Sequence, residues 1–181
     1  MSQIKLLHVA LRWLRLHTQF AALSSLLILA GCDQSGANEY SGGNLGAINH
    51  VAGQSINWFS VDGYRVPGTG GGYCCVMIPD KWRPGLVVHI EWEIDPNPHE
   101  KIPMRKEGAG YDQNAYALHK AKYRQYSADV PIPEYDESAG ITVHFLPCQQ
   151  VKVYAGIASY GADTYPIKEP TDMKEPATCP K

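Results

Sequence analysis

The side chains that could do chemistry in this sequence are thiols, imidazoles and carboxylates. Cys74 and Cys75 are adjacent, Cys148 and Cys179 lie far downstream, and a fifth cysteine, Cys32, stands near the start. In an oxidising compartment the four later thiols are an even set and read as disulfides. Successive residues of a strand point to opposite faces, so Cys74 and Cys75 are not expected to bond each other. Each is expected to pair with one of Cys148 and Cys179, in either order. Zinc is the rival reading, but no CxxC spacing occurs. His89 and Glu91 share a strand face and could ligate a metal. A solvated face with incidental His and Glu is far commoner, so no metal site is expected. His99-Glu100 lacks the second His of a zinc helix motif.

Enzyme signatures are equally sparse. No GxSxG elbow occurs, so an α/β-hydrolase is unsupported. The glycines of 68–72 precede a β-prone segment, not a helix, and lack the Lys-Ser/Thr ending of a phosphate loop. Glu91 and Glu93 sit two apart, too common a spacing on a strand to imply glycosidase chemistry. An exported hydrolase would need a nucleophile beside His89 or His144. The expectation is a non-enzymatic protein without a cofactor.

Cys32 carries the most specific signal. Residues 1–31 hold Lys5, Arg12 and Arg15 and no acid, and 20–30 reads FAALSSLLILA. A membrane-spanning helix needs about 20 apolar residues. A positive leader, a short apolar run and small residues describe a secretory signal. Leu29-Ala30-Gly31-Cys32 looks like the bacterial lipobox, in which the Cys thiol takes up a diacylglyceryl group and cleavage precedes it. The expected product is anchored to a cell membrane by lipid and faces the periplasm. Asp33 resembles an inner-membrane retention signal of enteric bacteria, with the outer membrane as the alternative.

Cleavage leaves 13 Lys/Arg against 18 Asp/Glu, a formal −5. An acidic domain is a poor partner for nucleic acid, whose binding rests on neutralising phosphates. Seventeen Gly, thirteen Pro and eleven Tyr favour strands and turns over a helix bundle.

The elements that must position these groups follow from period and punctuation. Residues 32–46 hold the lipidated Cys and a polar, Gly/Ser/Asn-rich stretch expected to be a flexible tether. A single β-rich domain is expected over 47–181, ending in a Pro-rich tail without pattern. Strands are expected at 47–51, Ser55–Val61, 73–78, 86–94, 141–146 and 151–157. Asp62-Gly63 is a hairpin turn and 67–72 a loop. In 86–94, Leu86, Val88, Ile90, Trp92 and Ile94 share one face and His89, Glu91 and Glu93 the other. His144 falls opposite Ile141, Val143 and Phe145 and is expected to be structural or half-exposed. Residues 95–110 read as an irregular loop. Residues 111–126 read as the one helix, capped by Asp112, with Ala115, Leu118, Lys122 and Tyr126 as its stripe. Residues 130–135 (VPIPEY) are an edge at best. The fold class is mainly β, an antiparallel sheet or β-sandwich with one inserted helix.

Lys81-Trp82-Arg83-Pro84-Gly85 joins two expected strands. Trp between cations on a loop reads as an interface anchor. The plainer reading is that Trp82 folds back over the sheet edge.

Asn49-His50, Ile56, Phe59, Val61-Asp62-Gly63, Gly71-Gly72 and the string CCV-x-x-P-x-x-W-x-PGL over 74–86 resemble a proteobacterial lipoprotein family, as do VPIP at 130–133 and VHFLP at 143–147. Its domain is catalogued as the domain of unknown function numbered 3304. Members are often encoded beside phospholipase effectors of the type VI secretion system and resemble immunity proteins. The resemblance implies a periplasmic lipoprotein that binds and blocks a cognate phospholipase effector. The other reading is a structural or assembly lipoprotein of an envelope complex. Blocking an enzyme calls for surface and shape, and Trp82, Arg83, His89, Glu91, Glu93 and the loop after them are the candidate partner-binding residues.

Overall fold

The computed structural model describes residues 39–180. Cys32, the expected leader and most of the expected tether lie outside them.

Asp62 and Gly63 both adopt positive φ, 49° and 83°. That is the geometry a two-residue hairpin needs to match strand twist, and Asp-Gly supplies it at little cost. The turn joins β2 (Ser55–Val61) to β3 (Tyr64–Pro67), and β2 pairs on its other side with β5 (Val87–Asp95). β5 pairs in turn with β6 (Arg124–Pro131), giving the order β3-β2-β5-β6. The second sheet has the order β4-β1-β7-β8, from β1 (Tyr40–Asn49), β4 (Gly70–Pro79), β7 (Gly140–Phe145) and β8 (Val151–Tyr154). All pairings are antiparallel except β1 with β7.

The inner faces meet in one core. Phe145 of one sheet lies 5.8 Å from Phe59 and 5.5 Å from Trp92 of the other, ring centre to ring centre. Leu45, Ile90 and Val143 are fully enclosed beside them. Alternation in β5 is as the sequence implies: Val88, Ile90, Trp92 and Ile94 are buried, His89 and Glu91 exposed. In β2 the alternation breaks. A bulge between Ile56 and Trp58 shifts the register, so Ile56 and Phe59 both reach the core. The compact unit spans Asn38–Lys181, contains every described strand and has its own core.

Several expectations are corrected. β1 begins at Tyr40, so 40–46 belong to the sheet and not to a tether. Its glycines are there because backbones nearly touch: a Cβ on Gly43 would collide with Gly140, and one on Gly140 with Asn44. β4 begins at Gly70, inside the stretch expected as a loop.

The helix, α1, is Gln113–Lys120, with Asp112 Oδ1 accepting from Ala115 N–H at 2.9 Å as expected. It ends before 126 because Arg124 onward pairs with β5, and β6 is an edge strand. The apolar stripe is also corrected. Leu118 is exposed, and His119 is the one buried residue of α1.

The cysteine pairing is corrected too. The structure joins Cys74 to Cys75 and Cys148 to Cys179. The alternation that argued against the first pair fails locally. Gly43 pairs with Val76 and Asn44 with Cys74, which leaves Cys75 as an unpaired bulge residue.

His144 is fully buried, because the Pro-rich tail folds over the outer face of the β4-β1-β7-β8 sheet. Tyr165 packs there against Tyr154, and Met173 bridges to Val51.

Candidate functional site

β5 turns His89, Glu91 and Glu93 to the outer face of its sheet, and the register supplies their neighbours. Asp129 stands opposite His89, Ser127 opposite Glu91 and Gln125 opposite Glu93. From the other side Ser60 faces Glu91 and Trp58 faces Glu93, with Arg65 beyond Ser60.

Each carboxylate is held in place. Ser60 Oγ donates to Glu91 Oε2 at 3.2 Å. Gln125 Nε2 and Asn57 Nδ2 donate to Glu93 at 2.8 and 3.1 Å. His89 Nδ1 lies 2.7 Å from Asp129 Oδ1, and its backbone N–H donates to Asp62 Oδ1 at 2.8 Å. The Arg65 guanidinium stacks 3.4 Å from the Trp58 ring centre.

The electrostatics follow from these contacts. The hydrogen bond to Asp129 raises the His89 pKa; burial opposes, and Glu91 and Asp62 add to the rise. For Glu93, burial favours the neutral acid, but the donors from Gln125 and Asn57 outweigh it and lower its pKa. The result is a pre-ordered shelf on which Asp62, Glu91, Glu93 and Asp129 outnumber Arg65 and His89. Such a surface can dock a cationic partner with little further ordering.

The structure therefore brings together three of the five expected partner-binding residues. Trp82 and Arg83 lie off this shelf, on the loop that leads into β5, where the chain enters β1. Trp82 takes the plainer of its two readings: its indole N–H donates to Ile132 O at 2.9 Å and its ring packs against the core. The loop closes that end of the domain, and the indole satisfies a carbonyl there. Arg83 Nη2 donates to Tyr40 Oη at 3.3 Å.

Two clusters had no sequence signal. At the C-terminal end of β5, buried His119 lies between Asp95 Oδ2 at 2.9 Å and Glu100 Oε2 at 2.7 Å, and Lys122 closes on Glu100. Asp95 continues the Glu91–Glu93 parity, which is the only hint the sequence holds. The other cluster joins His50, His144 and Tyr165 under the tail. Cys148, Cys179 and Glu175 also meet, but the two sulfurs are bonded to each other; Glu175 accepts from Cys148 N–H at 2.8 Å.

Residues 48–153, more than half of the chain, match the family described as protein of unknown function, DUF3304. The chain belongs to this family. The DUF3304 match takes in Cys74, Cys75, Trp82, the acidic shelf and His144, but not Tyr165 or Cys179. The tail is thus pinned onto the DUF3304 domain from outside the matched residues. No curated protein and no solved structure matches the chain. Among the described residues no helix is long and apolar enough to cross a membrane.

Proposed function

We propose that this protein is a lipid-anchored periplasmic immunity protein that binds and inhibits a cognate type VI secretion phospholipase effector. The outer face of β3-β2-β5-β6 is its docking surface. The observation that carries the reading is the acidic shelf, ordered by cross-strand hydrogen bonds around Glu91 and Glu93. An enzyme that draws phospholipid from a bilayer meets phosphate with Arg and Lys. A rigid acidic face complements that rim and loses little entropy on docking. A stable complex needs about 800 Å² per partner, which a four-stranded face with its flanking helix can offer.

Lipidation at Cys32 concentrates the inhibitor where the effector works. Asp33 favours the inner membrane. Cys32→Ala is expected to move the protein to the soluble periplasmic fraction and to weaken protection.

The test is co-expression with a periplasmically targeted phospholipase encoded beside this gene. The lipase alone should kill, and this chain should rescue. Glu91→Lys/Asp129→Lys, checked for fold by circular dichroism, should lose rescue. Absence of rescue by well-expressed, lipidated protein overturns the proposal and moves weight to an assembly role in an envelope complex.

A further inference from the structure

β5 and β6 are joined by residues 96–123, an excursion unlike the rest of the surface. It is ordered from within. Met104 bridges to Tyr111, Asp112 N–H donates to Pro103 O at 2.8 Å, and His119 moors α1 to Asp95.

Four of its exposed side chains are large and apolar: Met104, Tyr111, Tyr116 and Leu118. Leu118 is 71% exposed and Met104 62%. Tyr111 and Tyr116 stack at 5.9 Å and are both exposed. Cations surround them: Arg105 and Lys106 on the turn, and Lys120 with its Nζ 5.7 Å from the Tyr116 ring centre. The excursion holds five Lys/Arg against three Asp/Glu, or +2, while the whole chain is −2. Two of those acids are engaged inside it, Glu100 by His119 and Lys122 and Asp112 as the helix cap.

We infer that this excursion is a membrane-contacting tip that docks on an anionic bilayer surface. Exposed tyrosines beside aliphatic side chains partition to the headgroup level, and each nearby Lys or Arg adds attraction to anionic lipid. Charge decides between occupants. The complement of an apolar, cationic tip is an apolar, anionic surface, which is what phospholipid presents. The cleft of a phospholipid-binding enzyme carries the tip's own sign and would repel it. The inference does not depend on the phospholipase reading.

The tip and the start of β1 lie at opposite ends of the sandwich, separated by the nine residues of β5, about 30 Å. Eight residues from Cys32 to Tyr40 span at most about 28 Å. Anchor and tip together would lay the domain along the bilayer.

The test uses the chain from residue 33 onward, without lipid, in sedimentation with vesicles. The probes are phosphatidylethanolamine vesicles containing phosphatidylglycerol and vesicles of phosphatidylcholine alone. The expected result is binding to the first, lost as salt rises from about 0.05 M to about 0.5 M. Arg105→Glu/Lys106→Glu should weaken it by roughly tenfold or more. Tyr116→Ser/Leu118→Ser should weaken it at low salt as well. Glu91→Lys/Asp129→Lys should leave binding intact. The inference is overturned if the folded wild type ignores anionic vesicles or binds both kinds equally. It is also overturned if tip variants with native near-UV spectra bind like wild type. Rescue from a phospholipase is read separately, so the two proposals fail separately.

Discussion

His50 Nε2 lies 2.8 Å from His144 Nδ1, with both rings fully buried beneath the tail. Hydrogen-bond accounting fixes the protons. His50 Nδ1 is 2.9 Å from Pro170 O, which can only accept, so Nδ1 carries the hydrogen. His50 Nε2 then accepts from His144 Nδ1–H, and His144 Nε2 accepts from the Tyr165 hydroxyl at 2.6 Å. Burial pushes Tyr165 up to about 12, so it keeps its proton. With Nδ1 donating, His144 Nε2 can accept from Tyr165 only while the His144 ring is neutral.

Acid should therefore weaken this fold. Burial, with His50 adding, lowers the His144 pKa to about 4; Glu169 opposes and Lys152 assists. The unfolded chain, titrating near 6.5, binds the extra proton first. The contribution of His144 is full above about pH 6.5 and falls away as pH drops towards about 4, by on the order of 3 kcal/mol. Urea midpoints at pH 7 and 4.5 check this. His144→Gln should flatten the dependence over that interval, and an unchanged slope would refute the assignment.

Tyr165→Phe removes the donor to His144 Nε2 and leaves a buried acceptor unpaired. The expected cost is about 1–3 kcal/mol at neutral pH, read from denaturant midpoints. A variant as stable as wild type would show that the tail is not held this way.

The two cysteine pairs should differ in weight. Cys148–Cys179 spans 31 residues and ties the tail down, whereas Cys74–Cys75 closes no loop. By chain entropy, Cys148→Ser/Cys179→Ser should cost about 3–4 kcal/mol. Cys74→Ser/Cys75→Ser should change the thermal midpoint little. Peptide mapping without reduction checks the pairing itself.

Period-two patterning made much of the fold legible. The β5 faces, the Asp62-Gly63 turn and the Asp112 cap all rest on interactions within a few residues. What the sequence concealed depends on distant partners. Gly43 reads as linker until Gly140 lies against it. His144 reads as half-wet until a patternless tail covers it. The Cys74–Cys75 pairing was hidden because a bulge cancels the alternation that argued against it. For the candidate site, strand parity placed His89, Glu91 and Glu93 together. Nothing local showed that the Trp82 N–H would find the Ile132 carbonyl 50 residues away.

The mooring of α1 should have a pH optimum. Hydrogen bonding to Glu100, then Asp95, raises the His119 pKa against opposing burial. That support is full below about 6.5 and is lost as pH rises through the folded value. Hydrogen bonds from Lys122 and His119 lower the Glu100 pKa. That support is present above the ordinary carboxylate range and is lost as pH falls through the folded value. Protection of the 113–120 amides, taken as the slowing of exchange relative to the intrinsic rate at each pH, should be greatest between the two limits and fall on both sides. His119→Gln should abolish the alkaline limb, and a profile with the same alkaline limb would sink the mooring.

The contact between β1 and β7 makes the sharpest demand on sequence. Gly140 has φ 137°, and a Cβ there would fall on the backbone N, C and O of Asn44, its partner in the parallel ladder. Neither strand can retreat, because Leu45 and Ile141 beside the contact are both core residues. Gly140→Ala combines a forbidden φ with a backbone collision, and is expected to cost more than about 3 kcal/mol. Gly71, in β4, meets nothing within 4 Å and lacks the positive φ. Gly71→Ala should stay within about 0.5 kcal/mol of wild type. Paired thermal melts decide the matter: equal midpoints would mean that β1 does not lie against Gly140.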